Sequence, residues 1–142
     1  AKANALAQQL GRLAQPLSIA EAIKEADIVV LAIWLNATKE VLQQYATELE
    51  GKIIVDPSNP IAPDENGGFK KIIGENESAG EIIAALLPKN AKLVKALGTL
   101  GVASLTTAAF QQPANVLFYA TDDTGISEEV EQLIHDNGFV IS

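Results

Sequence analysis

Three short segments of small and polar residues could contact a ligand, because each lies at or just after the end of a hydrophobic run. The runs Asp27–Ile33, Lys52–Asp56 and Lys92–Leu97 are rich in Ile, Val and Leu. In a parallel sheet the carboxyl ends of such strands open onto a crevice where ligands bind. Small residues there let a ligand approach the backbone, and an indole covers a ring or donates a hydrogen bond. The candidate cofactor-binding residues are Ala32, Ile33, Trp34, Ser58, Asn59, Pro60, Gly98 and Thr99.

Acid-base and metal chemistry have few candidates in this sequence. It has one histidine and no cysteine, which excludes a disulfide framework, a thiolate nucleophile and a Cys-ligated metal site. His135 falls in the last turn of a predicted helix, where a cation complements the helix dipole. We interpret Asp56 as a strand-end cap and Lys95 as an edge or snorkelling side chain rather than a Schiff-base amine. The pattern favours ligand binding over proton transfer and predicts no metal site.

The elements that position these residues alternate between strand and helix. The predicted strands are Asp27–Ile33, Lys52–Asp56, Lys92–Leu97, Val116–Ala120 and Phe139–Ile141. The predicted helices are Ala3–Leu13, Ile19–Glu25, Thr38–Leu49, Gly80–Leu87, Val102–Phe110 and Ser127–Asn137. Prolines make Pro57–Glu77 a long surface excursion without regular structure. This order predicts an α/β fold, with a Rossmann-like, mainly parallel sheet and helices on both faces, in a single domain over residues 1–142.

The composition excludes several classes of partner. Among 142 residues, 10 Lys and Arg stand against 18 Asp and Glu, which gives a formal net charge of -8. This charge repels phosphate backbones, so we expect no nucleic-acid partner. The longest apolar stretch, Ile28–Leu35, is too short to span a bilayer, and we expect no membrane partner. The lack of cysteine suits a cytoplasmic protein, and the crevice expected at the strand ends suits a small-molecule substrate.

The ordered set of segments resembles one known family. Residues 27–34 (DIVVLAIW), 52–60 (KIIVDPSNP), 93–99 (LVKALGT) and 119–123 (YATDD) occur in the order and spacing of that family. They are similar to the deazaflavin-dependent NADP oxidoreductases and their relatives, which include the reductase domain of the STEAP metalloreductases. The resemblance implies NADP as cofactor, a deazaflavin, a flavin or another small acceptor as co-substrate, and hydride transfer between the two.

The same resemblance gives each candidate segment a place. It implies that Ala32–Trp34 contacts the phosphate and ribose region of the cofactor. Ser58–Pro60 is similar to the family's Thr-Asn-Pro, a turn that lies below the nicotinamide. Apart from the resemblance, Gly98 and Thr99 end the third strand before a predicted helix, so we expect their backbone N–H groups to face the nicotinamide carboxamide or the second substrate. The chain departs from the family at Leu97-Gly98, where relatives usually carry Phe and Asn, so the pocket is expected to differ there in shape or polarity.

Family members open with a glycine-rich strand, turn and helix that hold the pyrophosphate, and no Gly-x-Gly-x-x-Gly occurs in this sequence. The N-terminal βαβ unit is therefore expected to be missing and the domain to be incomplete. Without the strand that would lie beside it, Asp27–Ile33 is expected to expose an unpaired hydrophobic edge. Further residues or a second copy of the chain would cover that edge, and we expect a homo-oligomer.

Alternatives stay open for the residues and for the chain. Trp34 could pack the sheet against the helix Thr38–Leu49, Asn59 could form only an Asx turn, and Gly98 could belong to a turn without a binding role. The chain could be a non-catalytic nucleotide-binding or oligomerisation module, a truncated Rossmann domain that lost its phosphate-binding loop. The choice between NADP and NAD also stays open, because the residues that decide it follow an earlier strand.

Overall fold

The computed structural model describes residues 2–141, which include six α-helices and seven strands. The helices are α1 (Lys2–Leu10), α2 (Ile19–Glu25), α3 (Leu35–Gln44), α4 (Ala79–Ala84), α5 (Val102–Ala108) and α6 (Ser127–Asp136). The strands are β1 (Ile28–Val30), β2 (Ile53–Asp56), β3 (Ile61–Pro63), β4 (Phe69–Lys71), β5 (Lys92–Lys95), β6 (Val116–Leu117) and β7 (Val140–Ile141). Turns of 3-10 helix lie at Gly11–Leu13 and Thr124–Ile126.

The central sheet is parallel and has the strand order β1-β2-β5. Its register pairs Val30 with Val55 and Val55 with Val94, so the three strands end at the same edge. Strands β6 and β7 form a second parallel pair. An antiparallel bridge between Lys95 and Ala120 joins this pair to β5, with both N–H···O distances at 2.9 Å. The mainly parallel α/β sheet predicted from the sequence is confirmed.

Helices cover both faces of the sheet, as predicted. Neighbouring residues of a strand point to opposite faces, and Ile54 and Val55 of β2 are both fully buried on different sides. Ile54 belongs to a core formed with α2, α3 and α4, and Val55 to a core formed with β6 and α6. The largest fully buried side chains of these two cores are Leu35, Leu42, Leu49, Ile54, Ile83, Leu117 and Ile134.

The approach to β1 is fixed by a capping box at the start of α2. Ser18 Oγ accepts a hydrogen bond from the Glu21 backbone N–H, and the Glu21 carboxylate accepts from the Ser18 backbone N–H at 3.0 Å. These bonds satisfy two N–H groups that a helix start otherwise leaves unpaired. The hydrogen bonds from the Ser18 side chain and backbone lower the pKa of the Glu21 carboxyl from its ordinary value of 4.5.

The prediction of an irregular excursion over Pro57–Glu77 is wrong in part. Strands β3 and β4 form an antiparallel hairpin that pairs Ile61 with Lys71. Proline has no backbone N–H to donate to a neighbouring strand. Pro63 is tolerated because it ends a strand that lies at an edge of this two-stranded sheet. The tip is a turn in which the Asp64 carboxylate accepts from the Asn66 N–H at 2.6 Å and Gly67 has φ +84°.

Strand β1 lies at the edge of the central sheet among the described residues. Val30 is 44% exposed and Ile33 is 39% exposed, so the open edge is apolar, as the sequence predicted. Helix α1 overlaps the predicted helix Ala3–Leu13 and buries none of its residues. Among residues 2–141, no helix has the length and apolar character needed to cross a membrane.

Candidate functional site

A cavity of about 410 Å³ opens at the carboxyl ends of β2 and β5. Parallel strands place the turns that follow them at one sheet edge, and here those turns are residues 57–60 and 96–101. The residues that line the cavity come from both turns, from the strand ends and from the segment after β6. They are Asp56, Ser58, Asn59, Lys95, Ala96, Gly98, Thr99 and Phe118.

The two turns are in close contact at Gly98. A Cβ at this position would lie 2.4 Å from the Pro57 carbonyl oxygen and 3.0 Å from the Pro57 carbonyl carbon. The Asn59 side-chain amide donates to the Gly98 carbonyl oxygen at 3.0 Å and links the turns a second time. Leu97, just before, has φ +64°, a left-handed conformation that costs energy for a residue with a side chain. The backbone shape of this rim therefore depends on a glycine at 98.

An ion pair between Asp56 and Lys95 lines the cavity. The two residues end neighbouring strands and are in register, and Lys95 Nζ lies 2.6 Å from Asp56 Oδ2. Lys95 Nζ also donates to the Ser58 carbonyl oxygen at 2.6 Å, and Asp56 Oδ1 accepts from the Ser58 backbone N–H at 2.8 Å. Asp56 is fully buried, whereas the Lys95 side chain is 29% exposed. These bonds hold the turn after β2 against the end of β5.

Two further groups give the cavity its chemical character. Ser58 Oγ is buried and has no hydrogen-bond partner among the described residues. Phe118 lines the cavity and is 61% exposed, so its ring offers an apolar surface to a ligand. A buried hydroxyl, a lysine ammonium and an open aromatic ring together suit a planar molecule that carries polar substituents.

The structure brings together half of the predicted binding residues. Ser58, Asn59, Gly98 and Thr99 line one cavity, in agreement with their expected proximity. Pro60 lies at the start of the hairpin, where its carbonyl oxygen accepts from the Ile72 N–H at 2.9 Å. It does not line the cavity.

The segment Ala32–Trp34 lies at the same sheet edge but on the other side of β2. It follows β1, and none of its residues lines the cavity. Trp34 is 59% exposed and precedes the first residue of α3, so more than half of its surface is open to a ligand or a partner. Ile33 and Ala32 are exposed beside it. Their cofactor contact stays a prediction.

Sequence reasoning missed the roles of Asp56, Lys95 and Phe118. The cap predicted for Asp56 is confirmed by its bond from the Ser58 N–H, but its second oxygen holds Lys95. The snorkelling role for Lys95 is wrong, because its ammonium is bound within the site. The available signal was the position of both residues at the ends of successive predicted strands, which a parallel register brings side by side.

A larger cavity, of about 560 Å³, lies along β5 between α4 and residues 120–124. Lys95 borders it too, and its other charged residues include Lys92 and Asp123, whose side chains lie 3.4 Å apart. We favour the smaller cavity as the site because it lies at the carboxyl ends of the strands, where ligands bind in open α/β sheets. Size alone does not identify a binding site.

Residues 2–141 contain no group of three His, Asp or Glu side chains that could hold a metal ion. His135 lies in the last turn of α6, as predicted, and its Nδ1 lies 3.0 Å from the Phe139 carbonyl oxygen. It is not among the residues that line the cavity. The charged residues that line the cavity are Lys95 and Asp56.

Comparison with known proteins gives the site a family context. The family model described as NADP oxidoreductase coenzyme F420-dependent matches residues 1–60. This region includes β1, β2 and the turn Pro57–Pro60. A comparison with curated proteins finds no significant match.

Two solved structures are similar over most of the chain. A hypothetical protein from Sinorhizobium meliloti has a TM-score of 0.84 and 27% identity, over 99% of this chain and 66% of that one. A putative F420 dependent NADP-reductase from Arthrobacter sp. FB24 has a TM-score of 0.74 and 27% identity, over 88% of this chain and 58% of that one. The chain thus spans less than two thirds of either structure. These comparisons confirm the Rossmann-like fold and the resemblance to this oxidoreductase family.

Proposed function

We propose that the chain is the nicotinamide-binding part of an NADP(H)-dependent oxidoreductase that exchanges a hydride with a deazaflavin, a flavin or another small acceptor. The observation that carries this proposal is the cavity at the ends of β2 and β5. There Ser58, Asn59, Gly98 and Thr99 meet, the residues expected from the sequence on the nicotinamide side. The family match over residues 1–60 supports the same class of reaction.

The residues present fit a nicotinamide ring with its carboxamide. The cavity of about 410 Å³ has one aromatic wall, Phe118, and polar groups on Ser58, Asn59 and Lys95. Gly98 has no side chain, and its close contact with Pro57 leaves the backbone of the turn as the surface that a ligand meets. A nicotinamide bound here would supply the hydride chemistry itself.

The contribution of the chain is orientation. Direct hydride transfer between two rings needs a defined distance and angle more than it needs a proton donor. The Asn59 bond to Gly98 and the Lys95 bonds to Asp56 and Ser58 fix the two turns relative to each other. A rigid rim of this kind lowers the entropic cost of placing a ring. The lack of a histidine or cysteine in the site is compatible with this role.

The segment Ala32–Trp34 completes the proposal at the neighbouring strand end. We assign it to the phosphate and ribose region of the cofactor because it lies at the same sheet edge and its residues are exposed. NADP as the cofactor follows from the family resemblance. A cytoplasmic location is part of the proposal and is supported by the absence of cysteine.

The test uses Trp34, the one tryptophan of the chain, as a reporter. We expect titration with NADPH to quench Trp34 emission in a saturable way, and NADPH to be oxidised when a deazaflavin or flavin is added. Asn59→Ala should weaken NADPH binding because it frees the Gly98 turn. Leu13→Ala, a change at a residue that is 91% exposed, is the control. Absence of saturable quenching would refute the proposal.

A second candidate function is a non-catalytic module that associates through β1. The apolar edge formed by Val30, with Ile33 and Trp34 exposed beyond it, favours this candidate and the expected homo-oligomer. Light scattering should then show a mass above that of one chain, and Val30→Lys should reduce it to the monomer value. A monomeric wild-type chain would contradict association through this edge.

A further inference from the structure

The Lys95 ammonium retains one hydrogen-bond donor. A lysine ammonium has three N–H groups. One is directed to Asp56 Oδ2 and another to the Ser58 carbonyl oxygen, each over 2.6 Å. No further acceptor is bonded to Lys95 Nζ within the described residues. Because its side chain lines the cavity and is 29% exposed, the third N–H is available to an oxygen atom of a ligand.

The groups around Lys95 restrict the kind of oxygen it would bind. Asp56 balances the charge of Lys95, so the pair is neutral overall and does not strongly favour an anion such as phosphate. Phe118 provides an exposed ring on the same cavity. A neutral or weakly charged oxygen that projects from a planar ring satisfies both groups at once, since the ring lies on Phe118 and its oxygen accepts from Lys95.

We infer that Lys95 is a ligand-binding residue whose ammonium donates to the exocyclic carbonyl oxygen of a planar ring stacked against Phe118. Asp56 and the Ser58 carbonyl are positioning groups that hold the ammonium in place. The inference rests on the proposed function, because it names the polar contact within the same site. The carbonyl could come from the nicotinamide carboxamide or from the ring of a flavin-type acceptor, and the probes below distinguish these sources.

The test compares the binding of three probes to a small set of variants by calorimetry. The probes are NADPH, FMN, and the NADP fragment phospho-ADP-ribose, which lacks the nicotinamide ring. Asp56→Asn keeps the ammonium, and Asp56→Asn with Lys95→Met removes it without leaving a buried carboxylate unpaired. Lys92→Met is the matched control, since Lys92 begins the same strand and does not line the cavity. Circular dichroism checks that each variant is folded.

We expect the double variant to bind NADPH or FMN, whichever supplies the carbonyl, about 10- to 100-fold more weakly than Asp56→Asn does. This factor corresponds to the free energy of a hydrogen bond to a charged group. Lys92→Met should bind as the wild type does. Phe118→Leu should weaken the same probe about 3- to 10-fold. Since Phe118 is exposed, this variant tests the cavity even if the double variant fails to fold. Phospho-ADP-ribose should bind equally to all variants.

The outcomes separate this inference from the proposed function. Weaker binding of NADPH alone assigns the carbonyl to the carboxamide, and weaker binding of FMN alone assigns it to the acceptor. NADPH and FMN binding that is unaffected in both the double variant and Phe118→Leu would overturn the inference and leave the function standing. Equal weakening of phospho-ADP-ribose would overturn it too, because the effect would then be structural. A wild-type chain that binds FMN through Lys95 but does not bind NADPH would overturn the proposed function alone.

Discussion

Gly98 is the position where a single methyl group should disturb the site most. Its Cβ would lie 2.4 Å from the Pro57 carbonyl oxygen, whereas ordinary contacts begin at 3.4 Å. The two turns must therefore move apart by about 1.0 Å, the difference between these distances. The atom in the way is backbone, which cannot rotate aside as the end of a side chain would. The change also strains the Asn59 bond to the Gly98 carbonyl, now 3.0 Å long.

The cost of Gly98→Ala follows from these contacts. Overpacking of a fitted site costs about 1 to 3 kcal/mol, and the loss of one partly exposed hydrogen bond adds up to about 1 kcal/mol. We expect the free energy of unfolding to fall by about 2 to 3 kcal/mol. Urea titration measures it, and an unchanged slope against urea would show that the surface exposed on unfolding is the same.

Gly101→Ala is the matched control in the same turn. A Cβ at Gly101 meets nothing within 4 Å, and its φ of -65° is open to any residue. We expect this variant to change the free energy of unfolding by less than about 1 kcal/mol. It should also bind NADPH as the wild type does, whereas Gly98→Ala should bind more weakly. Equal stability and equal binding for the two variants would refute the account of the rim.

Asp56→Asn should lower the free energy of unfolding, measured by urea titration, by about 2 to 3 kcal/mol. This loss is smaller than that for breaking a fully buried ion pair, because the Lys95 ammonium left behind can contact water. A variant as stable as the wild type would contradict a stabilising role for the ion pair. The pKa of the Glu21 carboxyl is lowered from 4.5 by its bonds from Ser18, so its contribution to stability is complete above pH 4.5 and is lost as pH falls through the folded-state value. Ser18→Ala should reduce this acid sensitivity in thermal unfolding, and an unchanged pH profile would contradict it. Leu42→Ala should cost about 2 to 5 kcal/mol, because Leu42 is fully buried, whereas Leu10→Ala at a 53% exposed position should cost far less; equal losses by calorimetry would contradict the core assignment.

The elements that local sequence determines were predictable. β2 and β5 are short apolar runs bounded by turn residues, which indicate buried parallel strands. The capping box that starts α2 is also a local feature, because Ser18 and Glu21 are only three residues apart. The ends of the elements were less predictable. The predicted helix continues to Leu49, whereas α3 ends at Gln44. Leu49 is nevertheless fully buried, because an apolar residue can pack into the core from a turn as well as from a helix.

The features missed depend on contacts between distant parts of the chain. The hairpin β3-β4 was hidden by Pro63, whose effect depends on whether a strand edge is free. Lys95 meets Asp56 across 39 positions of sequence, and only the register of two strands reveals it. The exposure of Trp34 is likewise a property of packing, since the same indole could have filled a core. Ser58, Asn59, Gly98 and Thr99 line one cavity because parallel strands place the turns that follow them at one sheet edge, and their role in cofactor binding stays a prediction.

The central claim is that the turns after β2 and β5 form the nicotinamide site, and amide NMR spectra of the wild-type chain during NADPH titration test it most directly. We predict that the amides of Ser58, Asn59, Gly98 and Thr99 shift in a saturable way, and that phospho-ADP-ribose leaves them nearly unchanged. Shifts confined to residues 120–124, beside the larger cavity, would contradict the claim.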